Sequence, residues 1–196
     1  NRINDPQTAN DLIKNGSCDM VSMARPFLAD PELMNKALED KTDEINTCIG
    51  CNQACLDHIF KNKICSCLVN PKACHETEFE KLQADKKKKI AVIGAGPAGL
   101  SFAIEAAKLG HDVTIYEAKS QIGGQFNIAK EIPGKEEFHE TIRYFEKQIE
   151  LNNISLKLDT KVTLDILKNT DFDDFVFSTG IEPRIPKIDG IDSQNV

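Results

Sequence analysis

Four cysteines lie at a spacing that suits an iron–sulfur cluster. Cys48, Cys51, Cys55 and Cys67 follow the pattern C-x2-C-x3-C-x11-C. Three thiolates close together on a loop, with a fourth that returns from a distance, can surround a [4Fe–4S] cubane in which each iron takes one thiolate. Structural zinc is the alternative, because zinc also binds C-x2-C followed by a later pair. The chain would then be a zinc-stabilised, non-enzymatic module.

Three other cysteines lie outside this pattern. Cys65 precedes Cys67 by two residues and could replace it, but we favour Cys67 as the ligand. Cys18 and Cys74 are interpreted as buried thiols, which is the usual role of an unpaired cysteine. Because the sequence carries no export signal, we expect a cytoplasmic protein whose clustered cysteines bind metal and do not form disulfides.

A glycine-rich turn follows the cysteines. Residues 94–99 read GAGPAG and fit G-x-G-x-x-G between an apolar strand and an alanine-rich helix. Gly94 permits the tight turn, Gly96 lets the backbone approach a pyrophosphate, and Gly99 allows close packing of helix on strand. Glu117 ends the next strand at the distance expected of an acid that binds ribose hydroxyls. This context predicts a dinucleotide site and disfavours a glycine turn without a ligand.

The residues after Glu117 favour FAD over NAD. Gly124 and Gln125 end the segment AKSQIGGQ, and a Gly-Gly pair after the acid is typical of flavoproteins of the glutathione-reductase type. Ser178-Thr179-Gly180 looks like the second fingerprint of those proteins, so we assign Thr179 and Gly180 to the cofactor site. A flavin domain directly after the cysteines also favours a redox-active cluster over zinc, since zinc carries no redox chemistry.

The chain divides into three segments that must position these residues. Residues 1–45 look like α/β repeat material. Residues 46–82 lack clear periodicity, as expected where a cofactor organises the chain. Residues 88–196 read as alternating strands and helices. The sequence therefore predicts an α/β protein whose last segment is a partial Rossmann-like domain.

Individual elements follow from the apolar patterns and from capping residues. Helices are predicted from Asp5-Pro6 to near Gly16, after Asp30-Pro31-Glu32, over 97–109 and over 136–151. Strands are predicted at Asp19–Met23, 89–93, 113–117, 155–158, 161–164 and 174–178.

Composition excludes two classes of partner. The formal charge of −7 argues against a general nucleic-acid binder, which needs basic surface to displace counterions. No apolar run approaches the roughly 18 residues that a membrane span requires. The chain is 40% apolar and 28% charged, which suits a soluble globular protein and not a disordered one.

Four longer motifs carry a resemblance to a known family. They are NTCIGCNQACLD, CLVNPKACHE, AVIGAGPAGL and IGGQFNIAKEIPGKEEF. Together they resemble the bacterial NADPH-dependent 2,4-dienoyl-CoA reductase family, an old-yellow-enzyme-related group of NADH:flavin oxidoreductases that includes trimethylamine dehydrogenase. The resemblance implies that residues 1–45 are strands seven and eight of an FMN-binding TIM barrel, that 46–82 hold a [4Fe–4S] cluster, and that 88–196 begin an FAD domain.

The resemblance also implies a reaction. Electrons would pass from NADPH to FAD, through the cluster to FMN, and then to an unsaturated acyl-CoA of fatty acid β-oxidation. A related enone reductase or amine dehydrogenase is the alternative. The family's catalytic tyrosine and histidine match nothing in these 196 residues, so we expect no catalytic residue here and little activity from this stretch alone.

Further cofactor contacts are assigned only by the resemblance. The family's FMN contacts match Arg2, Ala24 and Arg25. Its FAD contacts match Ala98, Glu117, Gln125, Lys135 and Val162. By composition alone Lys135 would be an ordinary surface lysine, and the resemblance changes that interpretation to a cofactor contact.

Overall fold

The computed structural model describes residues 3–79, 83–168, 170–182, 184, 186–191 and 193. Its helices are α1 (Pro6–Lys14), α2 (Arg25–Ala29), α3 (Leu33–Leu38), α4 (Leu56–Phe60), α5 (Pro97–Lys108), α6 (Phe126–Ala129), α7 (Phe138–Leu151) and α8 (Leu164–Lys168). Its strands are β1 (Lys89–Ile93), β2 (Asp112–Tyr116), β3 (Ser155–Lys157) and β4 (Asp174–Phe177). A short 3-10 helix covers Thr42–Glu44.

A parallel sheet organises the C-terminal part of the chain. The strand order is β3-β2-β1-β4, and every neighbouring pair is parallel. Parallel neighbours require a crossover, which α5 supplies between β1 and β2 and α7 supplies between β2 and β3. The chain then returns to the opposite side of β1 to form β4. The predicted α/β class is confirmed, and the reversal of strand order at β1 and β4 creates the crevice in which such sheets bind ligands.

The core lies between this sheet and its helices. Strand β1 is buried from Ile90 to Ile93. Helix α7 contributes Ile142, Phe145 and Ile149 to the same apolar cluster, and the spacing of these residues places them on one helical face. The apolar stripe predicted over 136–151 is therefore core.

Two predicted strands are wrong. Residues 19–23 form no strand, because a strand requires hydrogen bonds to a neighbour and none lies beside these residues in the described part of the chain. Residues 161–164 lead into α8, where the Thr163 hydroxyl accepts a hydrogen bond from the Ile166 amide at 3.4 Å. A threonine that caps a helix in this way favours a helix start over a strand.

Other elements lie close to the predicted positions. Helix α1 begins at Pro6, after Asp5 accepts a hydrogen bond from the Thr8 amide at 2.7 Å. Helix α2 follows Ala24 and was not predicted. The interpretation of Cys74 as a buried thiol is wrong: its left-handed backbone (φ 62°) lies in an exposed turn. Arg2 lies outside the described residues.

Among the described helices, none has the length and apolar character needed to cross a bilayer.

Packing against the sheet predicts a contrast between two leucines. Leu100 in α5 is 0% exposed, whereas Leu164 in α8 is 72% exposed. We expect Leu100→Ala in the full-length protein to lower the free energy of unfolding by about 2–5 kcal/mol, because it leaves a cavity. Leu164→Ala should change it by less than about 0.5 kcal/mol. Urea denaturation followed by circular dichroism measures both, and equal effects would contradict this description of the core.

Candidate functional site

The four cysteines of the predicted cluster line one cavity. Cys48, Cys51, Cys55 and Cys67 all contribute to its wall. The remaining lining residues are mostly apolar: Arg25, Leu28, Ile49, Asn52, Ala54, Leu68 and Val69. Cys65 is not among them. The structure therefore brings together the four thiols that the spacing singled out.

Turns in the backbone bring these thiols to one place. Gly50 and Asn52 adopt left-handed conformations with φ of 65° and 60°, which curve the loop between Cys48 and Cys55. The chain then passes through α4 and returns, and the Ser66 amide donates to the carbonyl of Ala54 at 2.8 Å. This bond places the residue before Cys67 beside the residue before Cys55.

A buried carboxylate fixes the chain that enters this loop. Asp30 is 4% exposed and accepts hydrogen bonds from the Lys36 ammonium at 2.6 Å and the Asn46 amide at 2.8 Å. The side chain of Asn46 in turn donates to the carbonyl of Val69 at 2.7 Å. The side chain of Asn70 donates to the carbonyl of Leu28 at 2.9 Å. These bonds join the end of the first segment to both sides of the cysteine cavity.

The environment of Cys48 and Cys67 favours the neutral form of these two thiols. Burial raises the pKa of Cys48 and of Cys67. Hydrogen bonds from the backbone of Gly50 to Cys48, and of Val69 and Asn70 to Cys67, act in the opposite direction. Metal binding therefore has to displace protons from these thiols. The same N–H groups would then donate to thiolate sulfurs.

In the described part of the chain, no three Cys, His, Asp or Glu side chains come close enough to hold one metal ion together.

A second cavity adjoins the first. Its wall is made by Ile3, Asn4, Ser22, Met23, Ala24, Arg25, Pro26, Cys48, Gly50 and Glu137. Arg25 and Cys48 line both cavities. Arg25, which the resemblance assigned to FMN, therefore lies where the two spaces meet, and Ala24, assigned in the same way, lines the second cavity. The guanidinium of Arg25 donates a hydrogen bond to the side-chain oxygen of Asn52.

The glycine turn occupies the crevice between β1 and β4. Gly94 (φ 106°) donates its amide to the carbonyl of Tyr116 at 2.8 Å, and its own carbonyl accepts from the Ser178 hydroxyl at 2.9 Å. A Cβ atom on Gly94 would lie 2.4 Å from the carbonyl oxygen of Ser178, and one on Gly99 would lie 2.1 Å from that of Gly94. A Cβ on Gly96 would meet no atom within 4 Å. A side chain at Gly96 would therefore enter open space, whereas neighbouring backbone leaves no room for a side chain at Gly94 or Gly99.

Glu117 is held against this turn. Its carboxylate is 9% exposed and accepts hydrogen bonds from the Ala95 amide at 2.8 Å and the Lys119 amide at 2.9 Å. The Gly123 amide donates to the carbonyl of Ala95 at 2.7 Å, which brings the Gly-Gly segment to the same place. Gly124 packs on Gly96, since a Cβ on Gly124 would lie 3.2 Å from the Cα of Gly96.

The other predicted FAD contacts have different positions. Ala98 is exposed on α5. Gln125 donates to the carbonyl of Ile181 at 3.2 Å, next to the exposed Thr179 and Gly180. Lys135 packs on α7, with its Nζ 5.3 Å from the centre of the Phe138 ring. Val162 is half-buried in the connection before α8.

One arginine joins the dinucleotide fold to the cysteine segment. Arg143 of α7 donates to the carbonyls of Asp43 and Ile45, the latter at 2.7 Å, and to the Thr47 hydroxyl at 3.5 Å. Lys147, one turn further along α7, forms a 3.0 Å ion pair with Asp43. Sequence reasoning missed Arg143, because nothing in the pattern of α7 distinguishes it from a solvent-exposed arginine.

A parallel α/β fold with this glycine turn and a buried acid after the second strand defines a dinucleotide-binding protein. Comparison with known families makes the assignment specific. The chain belongs to the pyridine nucleotide-disulphide oxidoreductase family, which matches residues 88–196. Residues 1–44 match the NADH:flavin oxidoreductase / NADH oxidase family, in agreement with the resemblance proposed for this part of the sequence.

Similar proteins contain both regions. The chain is 42% identical to a metal reductase of Desulforamulus reducens, over 96% of this chain and 29% of that protein. It matches the structure of 2-naphthoyl-CoA reductase in complex with 2-naphthoyl-CoA with a TM-score of 0.93 and 41% identity, over 98% of this chain and 30% of that one. The structure of histamine dehydrogenase from Rhizobium sp. matches with a TM-score of 0.83 and 29% identity, over 92% of this chain and 27% of that one.

The chain thus spans about 30% of the length of the relatives it matches. Their names cover several reactions and do not single out 2,4-dienoyl-CoA reduction.

Two glycine substitutions should separate folding from cofactor binding. Gly99→Ala should destabilise the full-length protein, because the new methyl group collides with backbone. Gly96→Ala should leave the melting temperature unchanged and weaken FAD binding, because the methyl group occupies the space next to the turn that a pyrophosphate needs. Differential scanning fluorimetry and flavin titration of the stripped protein measure the two effects. Wild-type FAD affinity in the folded Gly96→Ala protein would contradict the assignment of the turn.

Arg143 should order the chain before the first cysteine. Arg143→Ala removes bonds between a charged group and backbone carbonyls, each worth about 1.5–3 kcal/mol. We expect faster hydrogen exchange in the peptides that cover 42–48, measured by mass spectrometry on the full-length protein. Arg143→Lys keeps the charge but lacks the planar fork, so it should restore protection only in part. If hydrogen exchange in these peptides were unchanged in Arg143→Ala, the Arg143 contact would not be needed to order the chain before Cys48.

Proposed function

We propose that this chain is the electron-transfer region of a flavin- and iron–sulfur-dependent oxidoreductase. The observation that carries the proposal is the single cavity lined by Cys48, Cys51, Cys55 and Cys67 next to a dinucleotide-binding fold. Residues 1–44, which contribute Arg25 and Leu28 to the wall of this cavity, match a flavin oxidoreductase family, and this match also supports the proposal.

The chemistry of the cavity fits a [4Fe–4S] cluster. Four thiols are available, one for each iron of a cubane. Apolar residues such as Leu28, Ile49 and Val69 surround them and would limit access of water. Zinc would require ligands that converge on one ion, at about 2.3 Å from each sulfur. Zinc also carries no redox chemistry, whereas the fold that follows these cysteines is a dinucleotide-binding one, and this favours the cluster over the zinc alternative.

Two flavins would flank this cluster. FAD would bind at the glycine turn, where Gly96 leaves space for the pyrophosphate and Glu117 presents carboxylate oxygens to the ribose. FMN would place its phosphate in the second cavity, near Ala24 and Arg25. Arg2, Ala98, Gln125, Lys135 and Val162 remain proposed cofactor contacts on the family resemblance.

The bound groups would supply a path by which the two electrons of NADPH are separated and recombined before they reach a substrate. The chain's own contribution is positional. Asp30 and Asn46 hold the cysteine loop, and Arg143 joins the chain before it to α7. The backbone amides of Gly50, Val69 and Asn70 donate to the sulfurs of Cys48 and Cys67.

An unsaturated acyl-CoA, such as a 2,4-dienoyl-CoA, is the substrate we propose for the whole protein. The close structural match to a CoA-ester reductase supports this class. Amine oxidation is the second candidate, because the same region also matches histamine dehydrogenase. An assay of the full-length protein decides between them: NADPH consumption with dienoyl-CoA supports the first, and amine-dependent reduction of an artificial acceptor supports the second.

Cysteine variants test the cluster itself. Full-length wild-type protein purified without oxygen should contain about four irons per chain and should absorb broadly in the visible range after flavin removal. Cys67→Ser should lose most of this iron and absorbance, because one corner of the cubane loses its ligand. Iron analysis and visible spectroscopy provide the measurement.

Cys65→Ser is the matched control, since it lies two residues away and does not line the cavity. It should retain the wild-type iron content. Loss of iron in Cys65→Ser but not in Cys67→Ser would reverse the choice of ligand. A colourless wild-type protein with stoichiometric zinc would reject the proposed function.

A further inference from the structure

Arg25 stands at the boundary between two proposed cofactor sites. The Arg25 side chain lines both the cysteine cavity and the adjoining second cavity. Among the described residues that line these cavities, Cys48 is the only cysteine that also borders both of them. Apart from the cysteines, Arg25 is the one ionisable side chain on the described wall of the cysteine cavity. The residues around it there are apolar except for Asn52.

A hydrogen bond to the cysteine loop positions the Arg25 guanidinium. Arg25 is the first residue of α2 and is half-buried, and the following Pro26 is buried. The Arg25 guanidinium donates to the side chain of Asn52, which itself belongs to the loop between Cys51 and Cys55. This bond ties the cation to the loop that carries the thiols.

We infer that Arg25 sets the reduction potential of the cluster, beyond any contact it makes with FMN. This inference rests on the proposed function. Reduction adds one negative charge to a cluster already surrounded by four thiolates, and a nearby cation in apolar surroundings stabilises the more negative state. The charge of Arg25 therefore raises the potential and favours passage of an electron onto the cluster. Glu137, the N-cap residue of α7, lines the second cavity together with Arg25, and a negative charge there would oppose this effect.

The test is a redox titration of the full-length holoprotein with dithionite, followed by the electron paramagnetic resonance signal of the reduced cluster. Dithionite supplies the electron, and no bond is made or broken. Arg25→Gln should shift the midpoint potential to a lower value at unchanged iron content. Arg25→Lys keeps the charge and should remain close to wild type. Lys63→Gln removes a positive charge from an exposed position of the same segment, outside the cavity, and should have no effect.

A second variant moves the cation without removing it. Asn52 has φ of 60°, so glycine is the replacement that preserves its backbone. Asn52→Gly frees the guanidinium, which can then turn toward water, where its charge is screened. We expect a downward shift smaller than that of Arg25→Gln. Titration at matched FMN occupancy separates this effect from loss of flavin.

The outcomes distinguish the two claims. A wild-type potential in Arg25→Gln with full iron content overturns the role of Arg25 and leaves the proposed function intact. If Arg25→Gln does not assemble a cluster, a wild-type potential in Asn52→Gly overturns the inference. A wild-type protein without iron overturns the proposed function and this inference together.

Discussion

The hydrogen bonds around the buried carboxylate of Asp30 are the constraint on which the cysteine segment depends. Residues 46–79 have little regular structure, and their apolar contribution to the core is small. Such a segment cannot hold four thiols in place by packing alone. Asp30 supplies a fixed point through Lys36 and Asn46, and breaking a buried pair of this kind is strongly destabilising because it leaves an uncompensated charge.

From that point the contacts extend to the dinucleotide fold. Arg143 donates a hydrogen bond to the carbonyl of Ile45, the residue before Asn46, whose amide donates to Asp30. Lys147 adds an ion pair with Asp43. On the other side of the segment, Lys72 pairs with Glu105 of α5 at 2.7 Å. Hydrogen bonds and ion pairs thus connect α5 and α7, two helices that flank the parallel sheet, to the chain on either side of the cysteines. These bonds connect the cysteine segment to the fold that carries the glycine turn, as the proposed electron transfer between the two sites requires.

Much of the fold followed from local sequence, whereas the links between segments did not. The glycine turn, Glu117 and four of the strands could be predicted because their signals lie within short stretches of chain. The strand predicted at 19–23 failed because strand formation depends on a neighbour that the local pattern cannot reveal. Likewise, the bond between Arg143 and Ile45 joins residues 98 positions apart, and neither residue type signals the other. The cysteine spacing predicted a shared cavity, but the presence of Arg25 in its wall required the structure.

The immobilised carboxylate of Glu117 has a consequence for which nucleotide can enter. A carboxylate offers about four acceptor positions, and the amides of Ala95 and Lys119 occupy two of them. The remaining positions suit the two hydroxyl donors of an unmodified adenosine ribose. A 2′-phosphate would instead bring a dianion against a buried negative charge, and proteins that accept it place an arginine there. With Glu117 in its proposed role at the ribose, this crevice would discriminate against phosphorylated dinucleotides, and a reductant of the NADPH type would have to bind at a separate location.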